Sequence, residues 1–172
     1  MYREQLDWFS TDGGQFLVVP QKHASEWFGA DGIHDDYDRA AKASPDGSIG
    51  SLTVGTGQGL VYGTGEEQTA WYPLNDEKTE GMLVWWIYAP SKEDALRSLS
   101  AVPDSIWKKE DIVFENDDSI VRLINSADSG SGATFGYREF SLQPGKYEIY
   151  SAEDKPDKRT FFYLYRLKLK SD

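Results

Sequence analysis

Two imidazoles, a run of carboxylates and a glycine-dense stretch are the groups in this chain with the types and spacing to do chemistry. The stretch SLTVGTGQGLVYGTG, residues 51–65, puts Gly55 and Gly57 at the first two positions of a G-x-G-x-x-G phosphate loop. The third position is Leu60, no Lys-Ser or Lys-Thr pair follows, and the apolar run GLVYG stands where a phosphate loop needs a helix N-terminus. The glycines therefore predict a hairpin turn, in which Gly supplies positive φ. His23 and His34 stand 11 residues apart, outside any H-x-H or H-E-x-x-H spacing, so they predict no metal site. DGIHDDYD, residues 31–38, offers hard oxygens to calcium but lacks the alternating loop pattern and the closing Glu of a calcium loop, leaving a solvated or helix-capping acidic segment. Glu66 with Glu67, and Asp117 with Asp118, are sequence neighbours that a strand would turn to opposite faces, so they make no glycosidase pair and predict turns. No G-x-S-x-G elbow is present, and the chain has no cysteine. These absences predict neither catalysis nor a cofactor or metal.

The elements that must position these groups are mostly strands. Period-two or short apolar runs occur in QLDWFS, QFLVVP, SIGSLTV, GLVYG, TAWYPL and GMLVWWIYA, then in DIVFEN, SIVRLINS, YREFSL, KYEIYSA and RTFFYLYRLKLK. DIVFEN and SIVRLINS are separated only by Asp117 and Asp118, which predicts a hairpin, and QPGK predicts a type II turn. In the last run Phe161, Tyr163, Tyr165, Leu167 and Leu169 share one face while Arg166, Lys168 and Lys170 point to water. Helix signals are few: SKEDALRSLS, with Ser91 and Asp94 spaced as a capping box, and DDYDRAAKA from about Asp36; SEWF, residues 25–28, suggests a single turn. NSADSGSGATFG, residues 125–136, predicts a mobile surface loop. The expectation is one mainly β (α+β) domain over residues 1–172, an antiparallel β-sandwich or open barrel with a few short helices.

With a net charge of −11, the surface carries a negative potential that disfavours nucleic acid as a partner. Acidic residues crowd at Asp31, Asp35, Asp36 and Asp38, and basic ones collect from Lys155 to Lys170. The start of the chain shows no signal-peptide pattern, and the longest apolar run is about half of a membrane span, so a cytoplasmic location with no membrane partner is expected. Aromatic residues lie beside acid: Trp27 and Phe28 precede the acidic run, Tyr37 is inside it, and Trp71 and Tyr72 follow Glu66 and Glu67. That mixture suits interface anchors, whereas most Trp residues are expected in the core. Adjacent Trp85 and Trp86 must face opposite sides of their strand, one in the core and the other beneath a helix or open to a partner.

DGGQFLVVP, DDYDRAAKA, IGSLTVGTGQGLVYG, TAWYPL and LVWWIYA, in that order and spacing, resemble the Immunity protein 21 family of bacterial polymorphic toxin systems. A looser similarity lies in LQPGKYEIYSAEDKPDKRTFFYLYRL. The resemblance implies a small, cytosolic, largely β inhibitor, without catalytic residues, that binds the C-terminal domain of a cognate toxin made beside it. An acidic inhibitor suits a basic toxin such as a nuclease. Charge and aromatic clustering place the partner-binding patch at Asp35, Asp36, Tyr37, Asp38, Trp71 and Tyr72, with Glu66 and Glu67 on its rim. The alternative for DYDR is architectural: Asp36 caps a helix, Tyr37 packs inward and Arg39 pairs with Asp35 or Asp38. Two rival functions stand beside inhibition: a small-ligand or carbohydrate-binding β-domain with Trp71, Trp85 or Trp86 as a stacking platform, and a hydrolase using acidic residues alone.

Overall fold

Alternating side chains produce eleven strands in a computed structural model that describes residues 5–132 and 136–171. They are β1 Phe9–Ser10, β2 Phe16–Pro20, β3 Gly50–Val54, β4 Gly57–Tyr62, β5 Gln68–Pro73, β6 Glu80–Tyr88, β7 Lys108–Asn116, β8 Ile120–Asn125, β9 Arg138–Ser141, β10 Gly145–Asp157 and β11 Thr160–Leu169. One antiparallel sheet runs β1-β5-β6-β11-β10-β7, the other β3-β4-β2-β8-β9. Phe16, Leu60, Tyr62, Leu83, Trp85, Phe114, Tyr147, Tyr165 and Leu167 belong to one buried cluster drawn from strands of both sheets, the interior of a β-sandwich.

Two helices cover the outer faces. Helix α1, Asp36–Ala43, and a 3-10 turn, Gln21–Glu26, bring Ala40, Ala24 and the fully buried Trp27 onto Leu17, Val19, Val61 and Ile124 of the five-stranded sheet. Helix α2, Lys92–Leu99, brings Ala95 and Leu99 onto Met82, Val84, Phe162 and Leu164 of the six-stranded sheet. Its start is the capping box expected from the sequence, with the Ser91 hydroxyl accepting from the Asp94 N–H at 3.1 Å. Trp85 and Trp86 do part: Trp85 joins the interior, and Trp86 packs in the outer cluster, edge-on to Trp8 at 5.0 Å.

The glycine stretch is a hairpin. Val54 pairs with Gly57, leaving a two-residue turn in which Gly55 has φ +58°. The Asp117–Asp118 hairpin does not form: β7 pairs with β10 in one sheet and β8 with β2 and β9 in the other, so the chain crosses the sandwich there. Both runs are half of a two-sided core, and a short polar link serves a sheet-to-sheet corner as well as a turn. QPGK likewise carries the chain from β9 in one sheet to β10 in the other. QLDWFS is a strand only at Phe9–Ser10. β11 is buried on both faces where α2 covers Phe162 and Leu164, while Lys168 stays exposed and Arg166 is half-buried beside Glu80. The mobile loop expected at 125–136 falls partly outside the described residues; over 125–130 the segment is mostly buried.

One hydroxyl relay joins the sheets. The Thr69 hydroxyl donates to the Val84 carbonyl at 2.8 Å, so the fully buried Tyr62 hydroxyl donates to Thr69 at 2.6 Å. At the open edge of β7, the Gln58 side-chain amide donates to the Val113 carbonyl at 2.8 Å and accepts from the Glu115 N–H at 2.7 Å, occupying part of an edge that another chain would otherwise pair with.

Trp71 stacks on Phe140 with ring centres 4.2 Å apart, and a Cβ at Gly81 would overlap its indole. Gly81→Ala is expected to displace Trp71 and lower stability by about 1–3 kcal/mol through overpacking, read as a fall in the urea midpoint at unchanged slope. An unchanged midpoint would show that the indole moves freely.

Candidate functional site

The acidic run forms a closed loop whose geometry begins with a buried carboxylate. Asp36 is only 7 % exposed; one oxygen accepts the Phe28 N–H at 2.8 Å and the other takes Arg39 at 3.0 Å. Arg39 also donates to the Thr53 carbonyl of β3 at 2.9 Å and lies over the Trp27 ring at 5.6 Å. One Asp thereby pins both ends of residues 28–36 to the sheet. The base is held from the other side, where the Ala30 N–H donates to the Ala127 carbonyl and Gly130 to the Trp27 carbonyl. Gly29 has φ +67° and packs so closely on Ala127 and Asp128 that a Cβ would strike their backbone.

Within the loop, Asp31 is the organiser. Its carboxylate accepts from the Ile33 N–H at 2.9 Å, the His34 N–H at 2.8 Å and the His34 ring at 2.7 Å. The backbone bond from His34, reinforced by its ring and by Ile33, holds the Asp31 carboxyl down to about 2. His34 stacks on Phe28 with ring centres 4.0 Å apart, and Phe28 is itself 41 % exposed. The consequence is Ile33, 87 % exposed at the crest, with Asp31 and Asp35 close in sequence and also exposed. An ordered loop that displays a large aliphatic side chain among carboxylates is suited to bind another surface.

The residues expected from the sequence fall in three places. Asp35 and Asp38 are exposed and Tyr37 half-buried at the start of α1. Glu66 is exposed and Glu67 half-buried in the β4–β5 turn, where Glu67 accepts the Trp85 indole N–H at 3.2 Å. Trp71 and Tyr72 point to opposite faces of β5: Trp71 against the interior cluster, Tyr72 into the outer one at 4 % exposure. Asp36 and Tyr72 are thus committed to the interior and offer little to a partner. Asp36 is not a helix cap either; it closes the loop of residues 28–36, and Arg39 pairs with Asp36 and Asp35. Sequence reasoning noted Phe28 and Asp31 beside the patch without placing them in it, and missed Ile33. The Asp31-Gly32-Ile33-His34 order carries the signal of an Asx turn, which ranks Asp31 as the organiser ahead of its neighbours.

Asp117 and Asp118 also organise backbone. Asp117 accepts from the His23 ring at 2.7 Å, and Asp118 from the Lys22 N–H at 3.0 Å, tying the 3-10 turn to the sheet crossing. Partial burial pushes the Asp117 carboxyl up, but the His23 hydrogen bond and charge, with Lys22, outweigh it and bring it below the ordinary range. Among the described residues no three His, Asp or Glu side chains converge as metal ligands, and no helix is long and apolar enough to cross a membrane.

A second concave feature lies elsewhere, a cleft of about 580 Å³ lined by Asp46, Glu110, Glu153, Trp85, Tyr163 and Tyr165. It shares no residue with the loop.

Asp36→Ala is expected to cost about 1–3 kcal/mol, because it removes a charge-assisted bond and leaves the Phe28 N–H and Arg39 without their acceptor. The variant should show faster hydrogen exchange at Phe28, and equal exchange would contradict the loop-closing role. The Asp31 carboxyl should titrate near 2 by NMR. Because its folded value lies below its ordinary one, its turn stabilises the loop above about pH 4 and is lost as pH falls toward 2. A midpoint near 3.8 would show that the turn is not formed.

No curated protein and no solved structure matches the chain. The sequence profile described as Immunity protein 21 matches residues 7–160, from just before β1 to the first residue of β11, and so takes in the loop and the cleft rim at Asp46, Glu110 and Glu153. The chain belongs to the Immunity protein 21 family.

Proposed function

We propose that this protein neutralises a bacterial toxin of a polymorphic toxin system in the cytoplasm, by seating the 28–38 loop on a basic face of the toxin's C-terminal domain. Family membership supports an immunity protein directed against a toxin. The observation that carries the choice of surface is Ile33, 87 % exposed on a loop held by Asp36 and Asp31. A pre-ordered aliphatic anchor loses little conformational freedom on binding, so most of its contact energy is retained. Asp31, Asp35 and Asp38 form an acidic surround that would face a basic groove such as that of a nuclease, in the place its phosphates take. The net charge of −11 favours the same choice of partner. Tyr37 borders this surface, and Glu66 and Glu67 extend the acidic character elsewhere.

The rival carbohydrate reading needs an open indole face. Trp85 is 5 % exposed, the face of Trp71 is taken by Phe140, and Trp86 is packed in the outer cluster edge-on to Trp8 and Phe162, so none of the three offers an open platform.

The experiment is affinity for the toxin domain encoded beside this protein, with co-purification as its first form. Ile33→Asp should weaken binding by about 30-fold or more, the loss of about 2 kcal/mol expected of a central anchor, with an unchanged melting temperature. Asp35→Lys with Asp38→Lys should slow association about tenfold at low salt and less at high salt. Full affinity in both variants would place the interface elsewhere.

A further inference from the structure

The cleft has a composition that the loop does not. Its floor is aromatic, with Tyr163 leaning on Trp85 at a ring-centre distance of 4.7 Å; beyond the cleft, Phe161 lies 4.8 Å from Tyr163 and Tyr88 meets Phe161 edge-on at 5.9 Å. The four rings form a ladder along the ends of β6 and β11, and toward its far end the rings emerge from the core, Tyr163 and Phe161 half-buried and Tyr88 46 % exposed. The walls are acidic. Asp46 accepts the Ser48 N–H at 3.0 Å, Glu110 accepts the Ser151 hydroxyl, and Glu153 stands beside them, paired on its outer side with Lys155 at 3.7 Å, while Lys108 is the amine in the lining. Tyr165, at the back, is buried with its hydroxyl toward the Gly47 carbonyl at 3.3 Å. Its ionisation is pushed up mainly by burial, with further contributions from Tyr163 and from the charges of Asp46 and Glu110, so the field of both carboxylates reaches into the cleft.

The ladder already holds a cation at one point. Lys155 Nζ lies 4.4 Å from the centre of the Phe161 ring, the arrangement of a cation–π contact. Among the described residues no basic group of the chain lies over Tyr163, the next ring and the one that faces the carboxylates. A planar, delocalised cation matches such a place better than an ammonium, because a guanidinium stacks on a ring while its edge N–H groups donate to carboxylates.

The geometry points to a binding site for an arginine side chain of the partner protein, stacked on Tyr163 and hydrogen-bonded by Asp46, Glu110 and Glu153. This deepens the proposed function and rests on its reading of the partner as a basic protein, but it concerns residues that the loop does not use. Binding there would be a second point of attachment on a different part of the molecule, and two linked contacts tighten a complex more than either alone.

The test needs no toxin, so its failure is separable from failure of the loop. The full chain is titrated with N-acetyl-arginine amide while the Trp85 indole N–H, assigned with Trp85→Phe, and the Tyr163 ring are followed by NMR. N-acetyl-citrulline amide, a neutral isostere, and N-acetyl-lysine amide are run beside it, with glucose as a neutral ring-stacking probe. The arginine probe should shift both resonances saturably, the lysine probe at least threefold more weakly, and citrulline and glucose not at all. Asp46→Asn with Glu110→Gln, which keeps the shape of the cleft, should weaken the arginine response at least threefold while the amide spectrum stays folded. Equal shifts with citrulline, an undiminished response in the double variant, a response to glucose, or no response to arginine would each overturn the assignment. If the toxin then binds normally to the double variant, the site is not used in the complex.

Discussion

The arrangement depends on a dry aromatic layer between two sheets and on a hydroxyl relay that crosses it. Tyr62, Phe16 and Tyr165 meet at ring-centre distances of 5.3 and 5.4 Å, in the tilted geometries that aromatic pairs favour over face-to-face stacking. A hydroxyl in such a layer is costly unless it is bonded, and Tyr62 meets that demand by donating to Thr69, which donates onward to the Val84 carbonyl. Burial pushes the Tyr62 hydroxyl above its ordinary value, which keeps it a donor across the pH range of the folded protein. The relay also favours the observed registers, since a one-residue slip of β4 or β5 within its own sheet would turn Tyr62 or Thr69 away from the interior.

Once the sheets are fixed, the periphery follows. Each outer face still carries apolar residues, and α1 with the 3-10 turn covers one while α2 covers the other. Covering the five-stranded sheet with so short a helix leaves the connection through residues 28–35 without a regular backbone ladder. Asp31 and Asp36 supply its acceptors and Arg39 its tie to β3. The acidic run is thus mostly architectural in its hydrogen bonds, and what it leaves exposed is the surface proposed to meet the partner. One Asp can hold the loop and its neighbour can face a partner, because adjacent residues at a helix start point in different directions.

The strands were legible because apolar alternation survives in short windows, and α2 because its capping box is local. The pairing of β7 and β8 was not, since a two-residue polar link is compatible with a hairpin and with a sheet crossing, and only the far side of each strand decides between them. Side-chain fate within the acidic run was likewise invisible: Asp35, Asp36 and Asp38 are chemically alike, and burial of Asp36 depends on Phe28 and Arg39 arriving from both sides. The expected patch therefore mixed exposed carboxylates with Asp36 and Tyr72, which the fold keeps. Ile33 was overlooked for the opposite reason, since a lone aliphatic residue in a polar segment gives no periodic signal. Tyr163 was read correctly as part of one strand face, but whether the facing sheet reaches far enough to cover it is a tertiary property.

The central claim is that an ordered loop, displaying one aliphatic residue among carboxylates, is what the toxin meets. Hydrogen–deuterium exchange of the protein with and without its toxin domain tests it most directly. The account predicts new protection in peptides spanning residues 28–38, with little change in β9. Protection confined to the β7 or β9 edge, with the 28–38 peptides unchanged, would contradict it.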